Sequence, residues 1–171
     1  VQPNPRLALV REGIELCRKE KVDFIAAVGG GSVIDSAKAI ALGAANPDID
    51  VWQFFDRRAT AQASLRVGVV LTIPAAGSES SDSVVITGEN GVKRGYGSPF
   101  NRPLFAILDP QLCRTLPKFQ IACGITDIMM HTLERFVAAD AGNYLTDQIA
   151  LSVLRTAVRF GRKAYDDPSD Y

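Results

Sequence analysis

Residues 28–39 read VGGGSVIDSAKA, and this stretch decides the expected fold. Three consecutive glycines follow the apolar run at residues 24–28 and precede a segment with apolar residues at helical spacing. An apolar run that gives way through glycines to a helix is typical of a parallel α/β layer. The stretch therefore predicts a strand over residues 24–28 that is buried on both faces, a tight turn, and a helix over residues 32–42.

The neighbouring sequence continues this alternation and then changes character. A helix is expected to begin at Asn4 as its cap, and no strand pattern follows Leu116-Pro117. The pattern predicts a Rossmann-like parallel sheet in a nucleotide-binding α/β domain over residues 1–116, followed by the start of an all-helical domain over residues 117–171. The other predicted elements are a short helix at 51–55, buried strands at 67–72 and 104–108, a hairpin pairing 84–87 with 93–96, and helices at 125–138 and 144–164.

Composition excludes several classes of protein. Lys and Arg total 19 of the 171 residues and so do Asp and Glu, so the balance argues against a nucleic-acid partner. Apolar residues make up 47%, yet no apolar run reaches the length of a membrane span and no signal peptide is visible. Three cysteines without a CxxC motif indicate buried free thiols. A cytoplasmic protein without membrane or nucleic-acid partners is expected.

The glycine turn at residues 29–32 has two interpretations. A helix N-terminus offers unpaired N–H groups and a partial positive charge, and Gly29, Gly30 and Gly31 would let a phosphate approach the backbone. Ser32 could add a hydroxyl donor, and Asp35 lies three residues on, as in a capping box. The alternative is a tight turn without a ligand, and the motif alone does not decide between them.

A second candidate loop follows the next predicted strand. Residues 72–80 read TIPAAGSES, which is rich in small and hydroxyl side chains. Ligands of open α/β sheets gather at the carboxyl ends of the strands, where this loop and the glycine turn would both lie. A polar loop without function is the alternative, but two such loops together favour a nucleotide site.

The segment 124–136, GITDIMMHTLERF, places Asp127 and His131 four residues apart on one helix face. A carboxylate and an imidazole at this spacing can hold one divalent metal ion. Glu134 lies about 10 Å along the helix axis from Asp127, too far for both to bind that ion. A helical Asp–His pair without a metal is the alternative, and His131 is the only histidine.

Taken together, these motifs resemble the iron-containing (group III) alcohol dehydrogenases, and within that family the NADPH-dependent butanol and aldehyde dehydrogenases. The resemblance extends along nearly the whole chain, and its segments are VQPNP, AVGGGSVIDSAKAIA, VLTIPAAGSES, LFAILDP, TLP and GITDIMMHTLERF. It implies that the turn at 29–32 holds the cofactor pyrophosphate and that Asp35 shapes that turn. It further implies that Thr72 and the loop through Ser78 line the nicotinamide side, and that Lys93 meets the cofactor ribose or phosphate.

The same resemblance implies a metal site and a reaction. Asp127 and His131 would be the first two ligands of iron or zinc, and the family adds two later histidines. The implied activity transfers a hydride between NAD or NADP and a primary alcohol or aldehyde, in a homodimer. Ala76 stands where a threonine is common in the family, and the family chain extends beyond both ends of this one. The chain is therefore expected to be the middle of an enzyme.

Two alternatives to this function stay open. A dehydroquinate synthase-like lyase would share the architecture, NAD and a divalent metal, although GGGSVIDSAK matches the dehydrogenases better. A catalytically incomplete nucleotide-binding fragment is the other alternative, because a single histidine cannot complete a metal site.

Overall fold

The computed structural model describes residues 4–137 and 143–169, which form two compact units. The first unit comprises the described part of Val1–Thr72 together with Gly77–Asp109. The second comprises Ile73–Ala76 and the described part of Pro110–Tyr171. The assignment of residues 1–116 and 117–171 to two domains of the whole protein stays a prediction.

The first unit contains the expected parallel sheet and the expected hairpin. Its parallel sheet has the order β1-β2-β5, and β3 pairs with β4 in an antiparallel ladder. Both arrangements agree with the α/β prediction. The elements of this unit are α1 (Leu7–Lys19), β1 (Phe24–Gly29), α2 (Gly31–Ala45), α3 (Trp52–Phe55), β2 (Arg66–Leu71), β3 (Ser83–Thr87), β4 (Lys93–Gly97) and β5 (Phe105–Ile107).

Helix α2 covers one face of the sheet. Ile34 and Ala37 of the helix join Ala27 of β1 and Val69 of β2 in one buried cluster. The burial of apolar surface in this cluster stabilises the helix on the sheet. The close packing brings the start of α2 to the carboxyl edge of the strands.

The opposite face of the sheet is open, which corrects a prediction. Phe24 and Val28 of β1 are 39% and 59% exposed, and Phe105 and Ile107 of β5 are 46% and 49% exposed. Side chains alternate between the two faces of a strand, and helix α2 covers only one of these faces. The prediction of burial on both faces is therefore wrong for β1 and β5. It agrees with β2, where Val67, Val69 and Leu71 are buried and Val70 is half-buried.

The hairpin is anchored by an aromatic side chain. The ring of Tyr96 in β4 stacks on Phe54 with their centroids 5.6 Å apart, and its hydroxyl accepts a hydrogen bond from the Ala61 amide at 3.0 Å. These contacts fix β4, the strand that begins with Lys93, against the core.

Two predicted helix caps are wrong. Helix α1 begins at Leu7 with Arg6 as its N-cap, and Asn4 has a positive φ of 62° outside the helix. Helix α2 begins at Gly31 with Gly30 as its N-cap, so Ser32 already lies in the first turn and cannot form a capping box with Asp35. Both helices begin without a side-chain cap.

The second unit contains two long helices, α4 (Lys118–Val137) and α5 (Tyr144–Asp166). A Cβ at Gly161 would lie 2.7 Å from the Ile125 side chain, so this glycine lets the two helices approach closely. Helix α4 begins before the predicted residue 125, and its predicted last residue, 138, lies outside the described residues. Cys123 on this helix is exposed, which corrects the expectation of a buried thiol.

Among the helices that the structure describes, none combines the length and the apolar character needed to cross a membrane.

Candidate cofactor and metal site

The glycine turn lies at the carboxyl edge of the parallel sheet. The Thr72 amide donates a hydrogen bond to the Gly29 carbonyl at 3.1 Å, so the ends of β1 and β2 are neighbours. A Cβ at Gly29 would lie 2.6 Å from Val33, a residue of the first turns of α2. The missing side chain therefore lets the strand pass directly into the helix. The Val33 amide donates to the Gly30 carbonyl at 3.0 Å, whereas the amides of Gly31 and Ser32 precede the first intrahelical hydrogen bond. Such N–H groups at a helix N-terminus suit a bound phosphate.

Lys93 lies close to this turn. The Asn4 amide donates a hydrogen bond to Ser32 Oγ at 3.2 Å, and Lys93 Nζ donates one to Asn4 Oδ1 at 3.4 Å. Asn4 thus bridges two predicted cofactor residues that are far apart in sequence. The lysine adds positive charge near a helix N-terminus, which is the electrostatic setting for an anion. Sequence reasoning missed this role of Asn4, which it interpreted only as a helix cap.

Asp35 and Ser78 contact each other. The Ser78 hydroxyl donates a hydrogen bond to Asp35 Oδ1, and the Val85 amide donates one to Asp35 Oδ2 at 3.0 Å. Burial raises the pKa of Asp35, while these two hydrogen bonds and the charges of Lys38 and Lys93 oppose that rise. Asp35 therefore contacts both the TIPAAGSES loop, through Ser78, and β3, through Val85, and its part in cofactor binding stays a prediction.

Sequence reasoning missed Lys38. Its side chain is only 1% exposed, and Nζ donates hydrogen bonds to oxygens of Ser78, Ser81 and Ser83. Burial lowers the pKa of Lys38, and the nearby carboxylate of Asp35 opposes this shift. The signal in the sequence was a lysine placed among the small apolar residues of α2, where a charge is unexpected.

Asp127 and His131 share one face of α4, as their spacing predicts. Asp127 Oδ1 lies 3.8 Å from His131 Nε2, and the two side chains are 42% and 43% exposed. A carboxylate oxygen and an imidazole nitrogen are suitable donors for iron or zinc. Within residues 4–137 and 143–169, however, no cluster of three or more metal-binding side chains occurs. The pair therefore fits part of a metal site, and its role as a ligand pair stays a prediction.

The second unit places part of the TIPAAGSES loop beside Asp127. Ile73 and Ala75 line one groove together with Asp127 and Met130. A Cβ at Gly124 would lie 2.7 Å from the Pro74 carbonyl oxygen, so a larger residue there would push the loop away. Gly124 thus sets how closely the loop lies to the helix that carries the Asp–His pair. Sequence reasoning did not single it out, because the contact joins residues 50 positions apart.

Comparison with known proteins gives consistent matches. The profile of the iron-containing alcohol dehydrogenases matches residues 1–110. Over 172 residues the chain is 42% identical to the probable NADH-dependent butanol dehydrogenase 2 of Bacillus subtilis. The matched region covers 100% of this chain and 44% of that protein. The chain is 37% identical to the NADPH-dependent aldehyde reductase YqhD of Escherichia coli, over 100% of this chain and 45% of that one.

A solved structure agrees with these relatives. NADH-dependent butanol dehydrogenase A from Thermotoga maritima superposes with a TM-score of 0.95 at 38% identity, over 100% of this chain and 43% of that chain. The chain therefore spans less than half the length of the relatives it matches. On these matches, the chain belongs to the iron-containing alcohol dehydrogenase family.

Proposed function

We propose that the protein containing this chain transfers a hydride between NAD or NADP and a primary alcohol or aldehyde, with iron or zinc as its metal. The observation that carries the proposal is the Asp127–His131 pair on α4, whose aspartate lines one groove with Ile73 and Ala75. The names of the relatives, butanol dehydrogenase and aldehyde reductase, support this substrate class.

In this proposal the first unit holds the nicotinamide dinucleotide. The first turn of α2 would bind the pyrophosphate through its N–H groups, with Ser32 as a further donor. Lys93 would contribute positive charge beside that turn. Thr72 follows β2 at the same edge of the sheet, where it would line the nicotinamide side of the site.

The second unit would hold the metal. When bound, a divalent ion polarises the oxygen of the alcohol or aldehyde as a Lewis acid, and the nicotinamide carries the hydride. Asp127 would supply a carboxylate oxygen and His131 an imidazole nitrogen. Residues outside the described part of this chain would complete the site, since protein sites for such ions use three or four ligands.

The lyase alternative is not favoured. A dehydroquinate synthase-like enzyme would use the same cofactors, but the relatives compared above are named as butanol dehydrogenases and an aldehyde reductase. A homodimer, implied by the resemblance, and a cytoplasmic location, expected from the composition, belong to the same proposal.

The full-length protein tests the proposed reaction directly. Purified protein would be incubated with butanal and NADH or NADPH, before and after removal of metal by a chelator. We expect oxidation of the reduced cofactor in proportion to the aldehyde consumed, loss of the activity with the metal, and recovery on adding iron or zinc. Substrate turnover without a net change in reduced cofactor, or full activity of the metal-free protein, would contradict the proposal.

Lys93→Met in the full-length protein is expected to weaken cofactor binding through loss of charge. The cofactor Kd of Lys93→Met should be about fivefold higher than that of wild type at low salt, a size expected for an exposed charge. The difference should shrink as salt is added, because salt screens the charge. Calorimetric titration with NADH and NADPH at two salt concentrations measures it. The control is Lys19→Met, which removes an exposed lysine at the far end of α1. Equal affinities of Lys93→Met and wild type at low salt would make Lys93 an ordinary surface residue.

A further inference from the structure

Lys38 is a buried cation whose hydrogen bonds are all directed at one segment. Its Nζ donates to the carbonyl oxygens of Ser78, Ser81 and Ser83 at 2.6, 2.9 and 3.0 Å. The Ser78 hydroxyl lies 3.2 Å away as a fourth acceptor. Carbonyl oxygens can only accept hydrogen bonds, so this environment matches the three donors of an ammonium group. A buried ammonium is costly unless its donors are satisfied, and here they are.

Asp35 holds the same segment from one turn earlier in α2. Its carboxylate accepts hydrogen bonds from the Ser78 hydroxyl and from the Val85 amide. Together Asp35 and Lys38 bind the segment at residues 78, 81, 83 and 85. The opposite charges lie three residues apart on one helix, so each offsets part of the cost of burying the other.

This network joins two parts of the predicted cofactor site. Helix α2 begins with the glycine turn, and the network attaches Ser78 to the same helix. Asp35 and Lys38 therefore both constrain the distance between the turn and Ser78, since each binds Ser78 from α2. A hydrophobic residue at position 38 could fill the space, but it could not hold three carbonyl groups.

We propose that Lys38 is a positioning residue that fixes the segment 78–83 against α2 and thereby sets the spacing of the cofactor contacts. The inference rests on the proposed function, because it assigns the glycine turn and Ser78 to one cofactor site. Lys38 acts through Ser78 and the segment that follows, and no contact of its own with a cofactor is implied.

The test compares two substitutions within α2 of the full-length protein. Lys38→Met keeps the length of the side chain and removes the donors, whereas Leu42→Ala shortens a fully buried apolar residue one turn further on. Leu42→Ala is expected to lower the melting temperature, because it leaves a cavity in the core. Hydrogen exchange of the amides at residues 77–83 and calorimetric titration with NADH and NADPH are measured for both variants and for wild type.

We expect faster exchange at residues 77–83 and a cofactor Kd raised by about tenfold in Lys38→Met, because small misplacements of binding groups have effects of this size. Leu42→Ala should melt at a lower temperature, while its hydrogen exchange at residues 77–83 and its cofactor Kd stay near the wild-type values. If Lys38→Met does not fold, Lys38→Gln retains two donors, and a smaller change in the same direction is expected.

Two results would overturn the proposal. Unchanged exchange at residues 77–83 would show that Lys38 does not order the segment, whether or not a cofactor binds. Faster exchange with an unchanged cofactor Kd would show that the order is irrelevant to binding. Failure of the proposed function would be seen separately, as a wild-type protein that binds neither NADH nor NADPH.

Discussion

Replacing His131 by alanine in the full-length protein is expected to remove the metal and the alcohol dehydrogenase activity together. His131 and Asp127 lie 3.8 Å apart on one face of α4, and both side chains are partly exposed. Loss of the imidazole leaves the Asp127 carboxylate as the remaining donor of the pair. Removing a residue that only hydrogen-bonds to a metal ligand already lowers metal affinity or activity by about 10- to 100-fold. Removing a ligand itself should cost at least as much, so we expect turnover to fall by at least about 100-fold.

The measurement combines metal analysis with steady-state kinetics. Thr132→Val is the matched control, because the Thr132 hydroxyl bonds only within the helix in the described contacts, to the Ile128 carbonyl at 2.8 Å. This control should keep both metal and activity. A His131→Ala protein with stoichiometric metal and normal turnover would contradict the metal assignment.

Residues 1–171 by themselves provide a second check of the metal site. Two ligands on one helix leave an ion largely hydrated, so this piece is expected to bind iron or zinc weakly and not to oxidise alcohols. Robust alcohol oxidation by residues 1–171 would therefore also count against the assignment.

Gly31→Val in the full-length protein is expected to weaken binding of NADH and NADPH by about 100-fold, because the added side chain would occupy the place of a phosphate at a helix N-terminus. Gly31 is the first residue of α2, and valine is tolerated in a first helical turn, so the fold should persist. Gly31→Ala adds a single carbon and should show a smaller loss.

Calorimetric titration and thermal unfolding separate the loss of binding from a loss of folding. Gly97→Val is the control, since a Cβ at Gly97 meets no described atom within 4 Å beyond its neighbours in the chain. It should bind cofactor like wild type. If a folded Gly31→Val protein bound the cofactor with unchanged affinity, the phosphate would have to lie elsewhere.

The order of helices and strands could be predicted from the sequence, because local patterns decide it. The apolar run at 24–28, the glycines and the helical spacing after them are local features, and the structure has β1 and α2 there. The shared face of Asp127 and His131 follows from helix geometry alone. The family is also visible in the sequence, since the glycine turn and the Asp-x-x-x-His segment occur together in one chain.

Which residues meet across long separations was decided only by the tertiary structure. Asp35 was expected to cap its own helix, but its carboxylate binds Ser78 and Val85, 43 and 50 residues away. Lys38 was not singled out from the sequence, and its side chain is buried and hydrogen-bonded to the same segment. Such contacts depend on how the strands order the chain in space, and no local pattern encodes that.

The exposure of the strands was likewise decided by the assembled layers. The apolar runs of β1 and β5 correctly predicted strands, but one face of β1 is open because α2 packs on the other, and all three residues of β5 are exposed. An apolar sequence determines that a strand can be buried, since transfer of its side chains from water is favourable. Whether a given face is buried depends on which element packs against it, and that is a property of the tertiary structure.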